Sequence, residues 1–257
     1  MIKYMLNEFY DDINSFTYNG RNSLDMGLIV YEKENIYGRP KPVIEKVNIP
    51  GRGDVILNNK TDPVDNEEYE DFQKVYKCYV MPEEYQDIEM VARNVYAWLY
   101  QTVQYSRLDD SYERNYYRMA HVSEEMSVEE IAAALLGTLE IQFTCHPYKY
   151  SYDGERTLTL TKATSIFNTE GFTAYPYIKI YATGAVTLYI NDRTHTFKEI
   201  EDYIEVDSAL LNAYKGDTLQ NNKMTTTLFP KLTAGENKIR WAGNVKKIDI
   251  VPRWCCL

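Results

Sequence analysis

Hydrophobic and polar residues alternate with a period of two along most of this chain, which is typical of β-strands with one buried face. "NSFTYNGRNS" contains Asn19-Gly20, a strong signal for a hairpin turn, and "FQKVYKCYV" at 72–80 predicts a further strand. Beyond residue 150, turn residues recur about every eight to twelve positions between short alternating segments. The pattern therefore predicts a mainly β fold whose second half is an antiparallel sandwich.

Two segments follow a helical period instead. In "EEYQDIEMVARNVYAWLYQTV", 83–103, apolar residues recur at i, i+3, i+4 and i+7, as in an amphipathic helix. The expected core stripe is Ile88, Val91, Val95 and Trp98, continued by Ala92, Leu99 and Val103. "SVEEIAAALLG", 127–137, opens with a capping box and closes with a glycine, so it predicts a second, short helix. "TLEIQFTCHPYKY" then predicts a strand that ends at Pro147.

The polar stretch "KYSYDGERT" contains a glycine turn and separates the two halves of the chain. We place a domain boundary there, which gives domains at residues 1–150 and 151–257. The first is predicted to be β-sandwich-like, with one or two helices and a hairpin. The second is predicted to be all β.

"IPGRGDVIL", 49–57, contains an Arg-Gly-Asp tripeptide of the kind that adhesion proteins present to integrins. Two glycines and a proline within four residues, between "KPVIEKVNI" and "DVILNN", favour a tight reversal between two strands. We therefore interpret Pro50, Gly51, Arg52, Gly53 and Asp54 as a structural turn.

Composition limits the possible functions. Hydrophobic residues at 44% and charged residues at 26% describe a soluble globular chain, and no apolar stretch is long enough for a membrane span. The net charge of −10 argues against specific nucleic-acid binding, which needs clustered basic residues. The first residues do not form a secretory signal, so we expect assembly in a cytoplasm with four reduced cysteines.

Tyrosine is unusually frequent, with 24 copies against 8 phenylalanines. Tyrosine suits surfaces that are buried only when subunits meet, because it has an apolar body and a polar tip. It also has a high propensity for half-buried strands. The two interpretations are compatible, and both stay open.

No arrangement of residues in the sequence predicts catalysis, a cofactor or a metal. His121 and His195 are interpreted as strand residues, and His195 is expected to be exposed. Cys145 and His146 are neighbours on a predicted strand, so their side chains point to opposite faces and are not expected to form half of a metal site. Four acidic pairs are better explained by helix first turns and solvated loops than by a catalytic cleft: Glu83-Glu84, Asp109-Asp110, Glu124-Glu125 and Glu129-Glu130. Trp98, Trp241 and Trp254 could form a carbohydrate platform, although a structural role fits each of them better.

Several motifs, in order along nearly the whole chain, resemble one family. They are "FTYNGRNSLDMGLIV" at 16–30, "VNIPGRGDVI" at 47–56, "AWLYQTVQYSRLDDSYERNYYRMAHV" at 97–122 and "GTLEIQFTCHPYKY" at 137–150. In the second half they are "AYPYIKIYATGAVTLYIND", "YIEVDSALLNAYKGD" and "LFPKLTAGENKIRWAGNVKKIDIVPRW". Together they are similar to the distal tail proteins (Dit) of long, flexible-tailed bacteriophages.

The resemblance implies a virion structural protein without enzymatic activity. Its N-terminal domains would form a homo-hexameric ring at the distal end of the tail, and galectin-like or carbohydrate-binding-module-like C-terminal domains would project from it. The implied partners are the tail tube protein, a tail-associated lysin or tail-tip hub protein, and receptor-binding or peripheral baseplate proteins, while DNA would pass through the lumen. The alternative from a different class is a carbohydrate-binding module or lectin that acts in host-surface attachment.

Overall fold

The computed structural model describes residues 13–34, 39–48, 51, 55–59, 68–82, 87–122, 124–126, 128–132 and 136–257. The chain divides into two compact units, which are Met1–Lys149 with Leu257, and Tyr150–Cys256. Both units are built mainly from antiparallel strands, so the predicted fold class is confirmed.

The N-terminal unit contains ten strands and one α-helix within the described residues. They are β1 (Phe16–Tyr18), β2 (Arg21–Asn22), β3 (Leu28–Glu34), β4 (Ile44–Asn48), β5 (Val55–Asn59), β6 (Phe72–Val80), α1 (Ile88–Leu99), β7 (Ser106–Asp110), β8 (Tyr116–Val122), β9 (Val128–Ala132) and β10 (Leu136–Ser151). The main sheet has the order β2-β1-β7-β8-β10-β6-β3, and β9 pairs with β10. β4 and β5 form a separate two-stranded sheet.

The Asn19-Gly20 turn joins β1 to β2 as the sequence predicts. Both residues have positive φ, 47° for Asn19 and 77° for Gly20, which is the geometry of the two-residue hairpin turn that matches the twist of its strands. A short 3-10 turn at Leu24–Met26 follows and ends at Gly27, whose φ is 74°.

The helix begins where Asp87 accepts a hydrogen bond from the backbone N–H of Met90 at 2.7 Å. All four residues of the expected core stripe, Ile88, Val91, Val95 and Trp98, are buried on its inner face. The Trp98 ring is parallel to the Phe16 ring with centroids 5.8 Å apart, and its indole N–H donates to the Tyr18 carbonyl at 3.0 Å. The prediction that the stripe continues to Val103 is wrong. The helix ends at Leu99, and the Val103 side chain is 89% exposed.

The second predicted helix is also wrong. Residues 128–132 form β9, which pairs antiparallel with β10 through Leu139↔Val128 and Gly137↔Glu130. The local helix signals were overridden because β10 offers a hydrogen-bonding edge that only the folded sheet provides. Gly137 lies inside β10, where a Cβ would come within 3.1 Å of the Glu129 carbonyl oxygen, so it permits close approach of β9 and does not end a helix.

Pro147 does not end its strand, which continues to Ser151. Pairing of β10 with β6 stops at Cys145↔Phe72, so the missing N–H of Pro147 removes no hydrogen bond from that ladder.

The C-terminal unit is a folded-over antiparallel sheet of eight strands. They are β11 (Leu158–Leu160), β12 (Thr164–Asn168), β13 (Tyr177–Ile190), β14 (Arg193–Ile200), β15 (Tyr203–Asp207), β16 (Asn212–Lys215), β17 (Thr218–Leu219) and β18 (Gly235–Val251), while the short strand β19 (Cys255–Cys256) lies outside this sheet. β13 and β18 pair along nearly their whole length, from Tyr177↔Val251 to Ile190↔Ile239.

Each end of these two long strands belongs to a different layer of the sandwich. The first part of β13 pairs with β15 and its second part with β14, while β18 pairs first with β12 and later with β11. Bulges interrupt the register at the middle, where Gly184 and Gly243 have φ of 81° and 111°. Ile178 from one end of β13 and Leu188 from the other therefore lie in one core.

Candidate functional site

The segment that contains the Arg-Gly-Asp tripeptide lies between β4 and β5 in the sequence, and the paired residues next to it are Asn48 and Val55. Gly51 has a φ of 84° and open space around the position of a Cβ. Pro50, Arg52, Gly53 and Asp54 lie outside the described residues, so their interpretation as a structural turn stays a prediction.

A buried cluster of charged side chains closes one end of the N-terminal core. Asp110 accepts hydrogen bonds from the Lys33 ammonium at 2.7 Å and the Tyr76 hydroxyl at 2.6 Å, and the Lys74 ammonium lies 3.5 Å away. Its other carboxylate oxygen accepts from the backbone N–H groups of Tyr112 and Glu113 at 2.8 and 2.9 Å. The carboxylate is therefore held by two cations and three further donors.

Glu113 extends this cluster towards the surface. It contacts Lys74 at 2.5 Å, Arg118 at 3.3 Å and Lys149 at 3.1 Å. The side chains of Lys33, Lys74 and Arg118 are at most 6% exposed, whereas those of Glu113 and Lys149 are 19% and 20% exposed. Four cations thus share two carboxylates, an arrangement that desolvates charge heavily.

The cluster shifts the titration of its members. Burial alone would raise the pKa of the Asp110 carboxyl, but the Lys74 and Lys33 ammonium groups outweigh it and hold that pKa below its usual range. The pKa of Glu113 is lowered in the same way, mainly by Lys74 and Arg118. Burial lowers the pKa of Lys33, and the like charge of Lys74 lowers it further.

The interpretation of Asp109-Asp110 as a solvated acidic pair is wrong for Asp110, because its side chain is 4% exposed inside the charged cluster. One sequence signal could have located it. Lys74 shares a strand face with Tyr76, Cys78 and Val80, which are apolar core residues, so a buried countercharge had to face it.

The outer face of the same unit carries an acidic groove of about 560 Å³. We define the acidic groove by its carboxylates, Glu124, Glu125, Glu129 and Glu140, beside Tyr31 and Lys77. The Lys77 ammonium forms ion pairs with the carboxylates of Glu34 at 2.6 Å and Glu32 at 3.4 Å. Tyr31 stacks on Tyr79 with ring centroids 4.3 Å apart, and both rings are exposed. The interpretation of Glu129-Glu130 as a helix start is wrong, since both residues lie in β9.

The three histidines lie in strands. His195 is 1% exposed, not on the surface as predicted, because the segment at 224–228 covers it and the Leu228 carbonyl lies 2.9 Å from its Nδ1. Burial lowers its pKa despite that hydrogen bond, and Arg193 adds to the effect. Within the described parts of the chain, no group of His, Cys, Asp or Glu side chains could hold a metal ion.

The cysteines and tryptophans have structural positions. Cys78, Cys145 and Cys255 are buried free thiols, and burial raises their pKa values to about 12, 11 and 12. Trp98 and Trp254 are buried, while Trp241 is half-buried against the C-terminal core. No helix in the described residues is long and apolar enough to cross a membrane.

Comparisons with known proteins give one family model and several similar structures. The family model of the phage tail protein RIFT-related domain matches residues 27–145. The SPP1 Dit (gp 19.1) protein, described as a paradigm of the hub adsorption apparatus in phages that infect Gram-positive bacteria, has a similar structure with a TM-score of 0.70. Its sequence is 13% identical, and the match covers 93% of this chain and 98% of that chain.

Two structures of the phage p2 baseplate in its activated conformation, one with Sr and one with Ca, also match. Their chains give TM-scores of 0.52 and 0.53 at 10% and 9% identity, with 93% and 92% of this chain covered and 97% and 96% of theirs. No curated protein sequence matches. The resemblance to the distal tail proteins that the sequence motifs indicate is confirmed.

Proposed function

Because residues 27–145 carry a phage tail protein RIFT-related domain within a distal tail protein fold, we propose that this chain is a non-enzymatic structural component of a long, flexible phage tail. Six copies form a ring that joins the tail tube to the tail tip or baseplate. The observation that carries this proposal is the family match at 27–145, combined with a fold like that of SPP1 Dit over 93% of the chain.

The distribution of exposed tyrosines supports a ring built from the N-terminal unit. In the described chain, the most exposed tyrosines are Tyr31, Tyr79, Tyr100 and Tyr105, at 36–44%, and all four belong to that unit. Tyrosine is enriched in subunit interfaces, where its ring is buried and its hydroxyl still finds a partner.

The proposed ring has further partners on its two faces and at its C-terminal units. One face of the ring docks on the tail tube protein, and the other receives the tail-associated lysin or tail-tip hub protein. The C-terminal unit holds receptor-binding or peripheral baseplate proteins, and DNA passes the lumen without specific contacts, in keeping with a net charge of −10.

The alternative of a lectin has less support. A sugar platform needs an exposed indole face, but Trp98 and Trp254 are buried and Trp241 packs on the core. A glycan array with the purified chain distinguishes the two functions, since an adaptor gives no glycan signal.

The direct test is native mass spectrometry and negative-stain microscopy of the purified full chain, alone and with the tail-tip protein of the same phage. We expect a hexamer with a central hole in at least one of the two conditions. A monomer in both conditions contradicts the proposal.

A further inference from the structure

Within the part of the chain that the structure describes, the β4–β5 hairpin forms a two-stranded sheet of its own. In the described residues, its strands pair only with each other, and backbone hydrogen bonds tie its base to the neighbouring segment, from Val43 N–H to Glu68 O and from Glu70 N–H to Lys41 O, both 2.8 Å. An isolated two-stranded hairpin is at best marginally stable in water, so it needs a surface to pack on. Ile44, 45% exposed, is an apolar side chain left without such cover.

The segment that contains the hairpin, residues 39–60, is basic in an acidic protein. Residues 39–60 contain five basic and two acidic residues, in a chain whose net charge is −10. Arg39, Lys41 and Lys46 are exposed. Because side chains alternate along a strand, Ile44 and Lys46 lie on one face of β4, which we call the Ile44–Lys46 face.

The acidic groove has the complementary charge. Among the described residues, no cation forms an ion pair with Glu124, Glu125, Glu129 or Glu140. The stacked rings of Tyr31 and Tyr79 lie beside them and supply exposed apolar area. Because the groove presents four carboxylates and not one, it can receive several cationic groups of an extended partner.

We propose that the Ile44–Lys46 face of one copy docks on the acidic groove of the next copy, so that the ammonium groups meet the groove carboxylates and Ile44 covers the tyrosine pair. This assignment rests on the proposed ring. A head-to-tail ring needs two different complementary surfaces on every subunit, and the hairpin and the groove are two such surfaces. Like charges brought together at a contact strongly disfavour association, which makes charge reversal a sensitive probe.

The test uses two variants of the full chain. Glu125→Lys with Glu129→Lys makes the groove basic, and Lys41→Glu with Lys46→Glu makes the hairpin acidic. We expect each variant alone to associate on the order of a hundredfold more weakly than the unmodified chain, because each brings like charges together at every contact. When the two variants are mixed in equal amounts, the hairpin of each has a charge opposite to that of the groove of the other. Copies of the two variants can therefore alternate around a ring, and we expect a complex with an even number of subunits, half of each variant.

Matched controls are Glu199→Lys with Glu236→Lys, and Lys198→Glu with Lys238→Glu, all exposed positions of the C-terminal unit. These pairs change net charge equally and should leave the association unchanged. Native mass spectrometry of each variant and of the mixture gives the readout, and circular dichroism verifies folding.

Two failures can be told apart. If the unmodified chain never assembles, the proposed ring fails. If it assembles and either reversed variant assembles equally well alone, or the mixture stays monomeric while the controls assemble, the ring stands and the hairpin–groove contact is overturned.

Discussion

The two units of this protein hold their buried carboxylates in different ways. In the N-terminal unit, Asp110 and Glu113 are shared among four cations from four different strands, and most of these side chains are shielded from water. In the C-terminal unit, Asp207 has one cation, Arg253, which donates two hydrogen bonds of 2.7 and 2.8 Å.

The difference lies in what remains when one partner is removed. The Arg253 side chain is 30% exposed, so water can solvate its charge. The Lys33 and Lys74 side chains are 0% and 1% exposed, so water cannot solvate theirs. A network of buried charges is therefore more vulnerable than an isolated pair, although it contains more contacts.

The largest expected effect is that of Asp110→Asn. It leaves the two buried lysines without their shared countercharge, and we expect it to lower the free energy of unfolding by about 3–5 kcal/mol. Asp207→Asn should cost about 1.5–3 kcal/mol, the range for a hydrogen bond to a charged group. Urea denaturation followed by circular dichroism measures both, and an equal or reversed ranking contradicts the comparison. Asp109→Asn, beside the half-exposed Arg107, is the control with about 0–1 kcal/mol.

The next effect compares two glycines with positive φ, one in each unit. A Cβ on Gly243 would lie 2.5 Å from the Ala185 carbonyl oxygen, whereas Gly51 has nothing within 4 Å. Gly243→Ala should therefore cost about 2–4 kcal/mol, from backbone strain and overpacking together. Gly51→Ala should cost only the strain, about 1–2 kcal/mol. Thermal unfolding of the two variants measures the difference, and equal losses would show that the β13–β18 bulge relaxes freely.

A smaller effect concerns the pH dependence of stability, which differs between the two units. The pKa of His195 is lower in the folded chain than in the unfolded chain, so its neutral form stabilises the fold fully above about pH 6.5, and this contribution is lost as pH falls towards the folded pKa. The pKa values of Asp110 and Glu113 are also lowered, so their contribution is complete above about pH 4 and is lost below it.

His195→Gln should therefore flatten the stability profile between about pH 6.5 and 4.5. The matched variant His146→Gln, at a half-buried histidine of the N-terminal unit with a lowered pKa, should flatten it less. Urea midpoints at a series of pH values give the profiles. An unchanged slope in the His195 variant would contradict the assignment.

We expect the smallest effect on folding when the C-terminal unit is produced without the N-terminal unit. The boundary between residues 150 and 151 stays a prediction, and it implies that a fragment of residues 151–257 folds alone as an all-β domain. Its core at Ile178, Leu188 and Ile250 is buried and comes entirely from its own strands. Circular dichroism of the fragment and of the full chain tests this, and an unfolded fragment beside a folded full chain refutes it.

The period-two and helical patterns predicted most of the fold because each reports a face that one element must bury. The stripe on α1 is an example, since its residues contact the core wherever the helix packs. The same kind of signal failed at 127–137, where a helix cap and good helix formers were overridden by the exposed edge of β10. An edge of that kind comes from distant residues, so no local pattern contains it.

The charged cluster was harder to predict for a related reason. Asp110 follows another aspartate in a polar stretch, and only the pairing of β7 with β8 and the position of Lys33 and Lys74 show that it points inward. His195 was misassigned because the segment that covers it lies about thirty residues later in the chain. Sequence patterns describe the faces of single elements, whereas these residues depend on what another element brings against them.

β13 and β18 have a mechanical consequence. The same two hydrogen-bonded strands run from one layer of the C-terminal sandwich into the other. The two layers therefore cannot move relative to each other unless this strand pair is disrupted. A force that pulls the two ends of this pair along the strand direction loads many backbone hydrogen bonds in parallel, in shear, and does not break them one after another. The unit therefore transmits a pull as a single rigid body.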